Sequence, residues 1–275
     1  MVELEHSRQQ FETLGIGIAA VSYDSVAILH NFAERRAIHF PLLSDADSKI
    51  IRSAGLLNEA IPHQSPFFGI PNPGTFILDA KGVIKAKYFE EDFRERFTAA
   101  GILTRQFGVT PGAGAHEAIG KQLIALASAS NYVVRDGQRV ALVLDVELKP
   151  KMHVYAPGVE GYIPIVWKMK ESPAFVAHDV TLPPSKMLHL PAIDETVPVY
   201  EGKFRIERDI TIAAEPKVKP LADASGQFVV EGTLQYQACD DRMCYVPQEL
   251  RVEWTFQLEG HDRERAPAEL RRKAR

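Results

Sequence analysis

The pattern of hydrophobic and polar positions changes near residue 103. Before that point, short apolar runs alternate with stretches whose apolar positions recur at helical spacing. Glycine, serine and aspartate mark the changes from one stretch to the next. The pattern predicts helix, strand, helix, strand, helix, hairpin and helix, an order that is typical of a layered α/β domain.

Local signals set the expected limits of these elements. The predicted segments are a helix at 1–14 ended by Gly15, a strand at 16–22, a helix at 26–36, a strand at 40–43, a helix at 49–54, and a hairpin with strands at 75–78 and 83–88. Asp24 or Ser25 is expected to cap the second helix. Ser44 and Asp47 resemble a capping box before the third. Asp45 and Asp47 together suggest a cation site, but caps explain them better.

Residues 121–258 follow a different pattern, in which apolar residues recur with period two. The alternation is clearest at 140–148 and 250–258, and turn residues separate the runs. This pattern predicts an all-β sandwich. The glycine-rich stretch 104–120 is expected to be a linker, and residues 259–275 a frayed basic tail. The proline-rich stretch 173–198 is interpreted as a long connection or a lid.

Composition narrows the classes of protein. The chain has 275 residues, enough for two domains, and its 45% hydrophobic and 25% charged residues exclude global disorder. A net charge of -4 argues against nucleic-acid binding. No apolar stretch approaches the ~20 residues of a membrane helix, and no export signal is visible. The visible sequence therefore indicates the cytoplasm, whereas a start further upstream would allow an exported, periplasmic protein.

The chain has two cysteines, Cys239 and Cys244, five positions apart at the junction of two predicted strands. Opposite each other in a hairpin, their Cα atoms would lie ~4.5–5.5 Å apart, within the ~4.4–6.8 Å range of disulfides. So small a loop gains only roughly 2 kcal/mol from the bond, which favours a reversible redox role over a structural one. A static disulfide, two reduced unreactive thiols, and a zinc site with a distant histidine such as His153 are the alternatives.

The alternation on either side of the cysteine pair predicts an irregularity. Apolar residues are even-numbered both before and after the pair. If Cys239 lies opposite Cys244, Leu234 falls opposite Glu249 on the same face, which a regular hairpin with one buried face does not allow. We therefore expect a bulge between Cys244 and Leu250, most naturally at Pro247.

Three segments of the first part resemble the redoxins, the thioredoxin-like proteins of the alkyl hydroperoxide reductase and thiol-specific antioxidant group. They are Gly15–Ser25, Phe40–Asp45 and Pro73–Asp79 with Gly82. The resemblance implies a cis proline at Pro73 beside the active site, and a reactive cysteine near the start of the first long helix. That helix begins here at Met1, and no cysteine precedes position 239. We therefore expect a truncated thioredoxin-like domain or one without peroxide chemistry. The histidines at 6, 30, 39 and 63 are isolated and interpreted as non-catalytic.

The cysteine segment Tyr236–Gln248 resembles the N-terminal domain of the thiol:disulfide interchange protein DsbD. Lys151–Pro157 and Val199–Gly202 resemble two further elements of that family. The resemblance implies an immunoglobulin-like sandwich in which Cys239 and Cys244 accept electrons and pass them to other thiol proteins. It also implies a shielding loop, expected within 173–198. The family usually has one more residue between its cysteines.

The sequence therefore predicts two domains, at 1–103 and 121–258. The expected function is that of a thiol–disulfide or antioxidant oxidoreductase whose sandwich relays electrons or docks a partner. The alternative is a non-catalytic interaction module that has lost the peroxide chemistry. The expected partner is a thiol–disulfide exchange protein, and no cofactor, metal, nucleic acid or membrane span is expected.

Overall fold

In a computed structural model, the chain divides into two compact units, residues 1–102 with 261–275 and residues 103–260. The structure describes residues 1–65, 68–90, 92, 94–110, 115–190, 194–261 and 264–270. Among these residues, no helix combines the length and the apolar character that crossing a membrane requires.

The first unit has the predicted order of helices and strands, with shorter elements. Its elements are α1 Val2–His6, α2 Arg8–Thr13, β1 Ala20–Ser22, α3 Val26–Arg36, β2 Leu42–Ser44, α4 Lys49–Ser53, β3 Gly74–Leu78, β4 Ile84–Phe89 and β5 Arg96–Phe97. The helix α5 Ala99–Phe107 follows. Strands β1 and β2 are parallel, and β3 and β4 form an antiparallel hairpin.

Two of the predicted helix boundaries are confirmed and one is wrong. Gly15 follows α2 with a φ of 72°, which a glycine adopts without strain. Ser25 caps α3 by accepting a hydrogen bond from the Ile28 N–H. The capping box at Ser44 and Asp47 does not form. Instead, the buried Asp45 carboxylate accepts a hydrogen bond from the Ile51 N–H at 2.8 Å, so this aspartate serves the start of α4.

The β3–β4 hairpin is confirmed, but the cis proline before it is not found. The Asp79 carboxylate accepts hydrogen bonds from the Lys81 and Val83 N–H groups, and Gly82 turns the chain with a φ of 79°. The described residues contain no cis peptide bond, so the bond before Pro73 is trans. Trans is the more stable isomer of an X–Pro bond by ~0.5–1 kcal/mol.

The predicted linker and tail contain ordered elements. Helix α5 covers the first four residues of the stretch 104–120, and a strand begins at His116. In the tail, the Glu264 carboxylate bonds to Arg35 at 2.7 Å and to Arg36 at 2.8 Å. Residues 111–114, 262–263 and 271–275 of these stretches lie outside the described residues.

The second unit is built mostly of strands. They are β6 His116–Ile119, β7 Leu123–Ala129, β8 Val133–Val134, β9 Gln138–Leu148, β10 His153–Tyr155, β11 Val166–Met169, β12 Phe175–Thr181, β13 Lys186–Leu190, β14 Glu195–Glu201, β15 Lys203–Ile212, β16 Gln227–Tyr236, β17 Ala238–Cys239 and β18 Gln248–Leu258, with a short helix α6 Glu215–Val218. The sheet orders are β13-β14-β10-β17, β11-β16-β18-β8 and β12-β15-β9-β7-β6.

The core of this unit confirms the two alternating runs. The even-numbered apolar residues of β9, from Val140 to Leu148, and the central apolar residues of β18 are buried in one hydrophobic cluster, to which the sheets of β9 and β18 both contribute. Trp167 of β11 and Trp254 of β18 stack within it, with ring centroids 5.3 Å apart. Side chains that alternate at period two therefore place one face of each sheet in a shared core.

The interpretation of 173–198 as a long connection is wrong. This stretch forms β12, β13 and the first part of β14. Pro173 precedes β12, and Pro183 with Pro184 lies between β12 and β13, so these prolines separate strands without interrupting them. The strands β13 and β14 belong to the sheet β13-β14-β10-β17, whose last strand contains Cys239.

Candidate functional site

The two cysteines form a disulfide at the end of the sheet β13-β14-β10-β17. Cys239 closes β17, and Cys244 faces it as an isolated antiparallel bridge. Their Sγ atoms lie 2.02 Å apart and their Cα atoms 4.0 Å apart. Since both sulfurs are bonded to each other, the interpretations as free thiols and as zinc ligands do not apply to this structure.

The two sulfurs of the disulfide have different surroundings. Cys239 is 1% exposed because β17 pairs with β10, which places His153 directly opposite it. Cys244 is exposed because it follows the turn and lies outside the sheet. Of the two cysteines, Cys244 is therefore the residue that solvent contacts, whereas Cys239 lies in the interior.

The turn between the cysteines is organised by one carboxylate. Asp240 accepts hydrogen bonds from the N–H groups of Arg242 and Met243, at 2.8 and 2.9 Å. The hydroxyl of Tyr245 donates to its other oxygen at 2.8 Å. The hydrogen bond from Arg242, then that from Tyr245, lowers the pKa of Asp240. An ionised Asp240 thus holds the two cysteines at opposite ends of a closed turn.

The predicted bulge beside the pair is confirmed. Further along the hairpin, Leu234 pairs with Leu250 and Tyr236 with Gln248. Cys239 pairs with Cys244, which is a shift of one residue in register. Three residues, 245–247, therefore lie opposite two, 237–238, and Pro247 is among the three. The shift keeps the apolar face of β16 and β18 in the core while the cysteines meet.

One tyrosine, Tyr155, lies beside the sulfur of Cys244, and a second, Tyr162, stacks on it. The Tyr155 hydroxyl is 3.6 Å from the Cys244 Sγ atom. The Tyr155 ring stacks on that of Tyr162 at 4.3 Å, and the Tyr162 hydroxyl donates to Glu195 at 2.6 Å. Burial raises the pKa of Tyr155, and the hydrogen bond to Glu195 raises that of Tyr162 to about 12. Both hydroxyls are therefore protonated at neutral pH; that of Tyr162 donates to Glu195, and that of Tyr155 faces Cys244.

An apolar cluster surrounds the buried sulfur. Cys239 packs with Tyr155, Val197 and Val199, and four partly buried residues extend the cluster: Val159, Tyr162, Leu188 and Leu190. Several of these side chains belong to β13 and β14. The stretch 173–198, in which a shielding loop was expected, thus contributes to the packing around Cys239 as a pair of strands.

His153 is the nearest histidine to the pair in the sheet register. It is 3% exposed, and its ring meets the edge of Tyr155 at 5.5 Å. Burial lowers its pKa, against the smaller opposing effects of Glu201, Asp241 and Asp240. In the part of the chain that the structure describes, no group of three or more His, Cys, Asp and Glu side chains is suited to hold a metal ion.

Sequence reasoning identified the cysteines but not the tyrosines. Lys151–Pro157 was recognised as a family element, and it contains Tyr155, yet nothing in its spacing showed that this hydroxyl meets Cys244. In the first unit, Ser25 is a helix cap, and the peptide bond before Pro73 is trans. The position of Pro73 beside a redox site stays a prediction.

An exposed cysteine that is disulfide-bonded to a buried one, with a hydroxyl beside it, is an arrangement that thiol oxidoreductases use. Comparison with known proteins supports that class. Residues 1–87 match the AhpC/TSA family, and residues 120–255 match the N-terminal domain family of the thiol:disulfide interchange protein DsbD. The first part of the chain is therefore similar to the redoxins, and the second part is similar to DsbD N-terminal domains.

A curated bacterial relative supports the redoxin segment. The peroxiredoxin Bcp of Xanthomonas campestris pv. campestris is 32% identical over 75 residues, which is 27% of this chain and 46% of the relative. The chain thus spans about half the length of the curated relative that it matches.

Two solved structures are similar to parts of the chain. The N-terminal periplasmic domain of ScsB from Proteus mirabilis has 14% identity and a TM-score of 0.35, covering 49% of this chain and 47% of that one. The reduced DsbD N-terminal domain of Neisseria meningitidis has 13% identity and a TM-score of 0.28, covering 56% of this chain and 96% of that one.

Proposed function

We propose that the chain is a thiol–disulfide oxidoreductase in which Cys239 and Cys244 cycle between a disulfide and two thiols. In this proposal the first unit is a thioredoxin-like domain, and the second is an immunoglobulin-like sandwich that relays electrons to or from a protein partner. The observation that carries the proposal is the unequal exposure of the two bonded cysteines: Cys239 is buried and Cys244 is exposed.

The unequal exposure assigns a separate task to each cysteine. In the reduced pair, the Cys244 thiolate attacks a disulfide sulfur of the partner, and one partner thiolate leaves. The Cys239 thiolate then attacks the Cys244 Sγ atom, which reforms the intramolecular disulfide and releases the partner with a second thiol. The partner gains two electrons from the pair, and its two thiolates take up from solvent the two protons that the Cys239 and Cys244 thiols release. The disulfide is reduced again when a thiolate of a dithiol protein attacks Cys244 and the same exchange steps proceed in reverse.

The surroundings of Cys244 suit contact with a protein. The Tyr155 hydroxyl is placed to donate to a Cys244 thiolate, which stabilises the nucleophile. Two large apolar side chains near it in sequence, Met243 and Val246, are 57% and 77% exposed. Apolar side chains around a reactive sulfur favour a protein partner that buries them on docking.

The experiment compares two single-cysteine variants of the full chain, each reduced and then mixed with glutathione disulfide. C239S should form a stable glutathione adduct rapidly at Cys244. C244S should form one at least tenfold more slowly, since Cys239 is buried, and the wild type should pass to the intramolecular disulfide. Intact mass after acid quenching separates these species. Equal rates for C239S and C244S would contradict the proposal and favour an interaction module without redox chemistry.

A further inference from the structure

His153 has an unusual position relative to the disulfide. It lies directly opposite Cys239 in the β10–β17 pair, and opposite Glu201 on the other side in β14. Directly opposite residues in antiparallel strands have Cβ atoms ~4.5–5.5 Å apart, so the imidazole is within reach of the Cys239 sulfur. The Nε2 atom is buried and has no hydrogen-bond partner among the described residues.

The unpaired Nε2 atom of His153 destabilises the oxidised protein, whereas in the reduced protein the imidazole can accept a hydrogen bond from a thiol. A disulfide sulfur carries no proton and cannot donate to His153. Once the disulfide opens, Cys239 becomes a buried thiol with an S–H group, while Cys244 exchanges its proton with water. A buried polar group without a hydrogen bond lowers the stability of the fold, because it has lost its hydration and gained no new partner.

We propose that His153 accepts a hydrogen bond from the Cys239 thiol in the reduced protein, so that this residue shifts the redox equilibrium towards the dithiol. Reduction adds two electrons and two protons to the disulfide, and each sulfur takes one proton. The proton of Cys239 stays on sulfur and points at the imidazole. His153 is therefore a positioning residue for the buried thiol; the use of this effect in electron relay rests on the proposed function.

The charges around His153 allow this role. Glu201, Asp240 and Asp241 favour the protonated imidazole, whereas burial disfavours it and has the larger effect. Tyr155, the neighbouring ring on the same strand, is neutral because its own pKa is raised. The imidazole is thus neutral at neutral pH and keeps one nitrogen lone pair for a donor.

The test measures the thermal stability of the full chain in both redox states, with the reduced state held by a phosphine reductant. His153→Phe keeps the ring and removes the nitrogens. It should raise the melting temperature of the oxidised protein and lower that of the reduced protein. It should also shift the equilibrium with glutathione roughly tenfold towards the disulfide. His153→Gln, which keeps an acceptor, should stay closer to the wild type in both measurements.

A residue that only fills space would change both redox states in the same direction. Parallel shifts in H153F, with the glutathione equilibrium unchanged, would overturn the proposal. If H153F does not fold, the ¹⁵N shift of the His153 imidazole in the wild type gives the same answer: it should change on reduction, and an unchanged shift overturns the proposal. Failure of Cys244 to exchange with glutathione would instead contradict the proposed function, because the phosphine prepares the reduced state either way.

Discussion

The Tyr155 hydroxyl lies 3.6 Å from the Sγ atom of Cys244, although the two residues are 89 positions apart in the chain. The second unit brings them together because β10 pairs with β17, which ends at Cys239. The hydroxyl is protonated and faces the sulfur of Cys244, which is the exposed residue of the pair. The fold of the second unit thus places a hydrogen-bond donor beside the cysteine that is proposed to react.

Removing the Tyr155 hydroxyl should make Cys244 a poorer nucleophile. In a reduced C239S background, Tyr155→Phe should raise the pKa of the Cys244 thiol and slow its alkylation at neutral pH by roughly three- to tenfold, because a hydrogen bond to the thiolate is lost. The matched control is Tyr162→Phe, which removes the neighbouring hydroxyl that bonds to Glu195. Equal slowing by both variants would show that the effect does not come from the contact with Cys244.

The buried His153 should make the second unit less stable in mild acid. Its pKa in the folded protein is lowered by burial from the unfolded value of about 6.5. A lowered histidine pKa means that the unfolded chain binds the proton more readily, so stability is full above about pH 6.5 and declines below it. Urea unfolding of the oxidised protein between about pH 7.5 and 5 measures this decline.

His153→Gln should flatten that pH dependence because glutamine does not titrate. The control is His189→Gln, which changes an exposed histidine of β13 in the same sheet. A profile of H153Q that runs parallel to the wild type would assign the acid sensitivity to other groups.

Asp240 should determine how readily the pair closes. Asp240→Ala removes the acceptor for two N–H groups of the turn and for the Tyr245 hydroxyl. Without these hydrogen bonds the turn is less ordered, and the two sulfurs are close together in a smaller fraction of molecules. Intramolecular disulfide formation should therefore slow several-fold. Asp241→Ala is the control, since it changes the adjacent exposed carboxylate of the same turn. Rates of oxidation by glutathione disulfide, followed by alkylation and mass, compare the two variants; equal rates would remove Asp240 from this role.

The two units should separate under limited proteolysis. A protease of broad specificity is expected to cut the full chain first between Gly108 and Gly120, after α5 and around β6. The larger product should contain the disulfide and keep a cooperative unfolding transition, because the core cluster of β9 and β18 lies within 103–260. Mass spectrometry of the early fragments checks this. First cuts inside 121–258 would mean that the stable core has been assigned to the wrong part.

Strands could be predicted from the sequence where apolar residues alternate clearly with period two. The period-two runs of β9 and β18 and the hairpin turn at Asp79 and Gly82 are each encoded within a few neighbouring residues. The bulge beside Pro247 also followed from local pattern, because a one-residue change of register turns every side chain to the opposite face.

Features that depend on distant partners could not be predicted. The prolines of 173–198 suggested a connection, but pairing of β12 with β15 and of β13 with β14 overrides that local signal. Asp45 lies four residues before the start of α4, yet only the folded backbone shows that it accepts a hydrogen bond from Ile51. The contact of Tyr155 with Cys244 depends on sheet order, which no local spacing reveals.

The most direct test of the central claim is the redox equilibrium of the pair in the intact chain. Oxidised protein is equilibrated with graded ratios of reduced to oxidised glutathione, quenched in acid, alkylated and weighed, while circular dichroism follows the fold. We expect one reversible two-electron transition between about -270 and -120 mV, the range of exchange-active protein disulfides, with the fold unchanged. A disulfide that stays closed below about -300 mV, or opens only as the protein unfolds, would contradict the account.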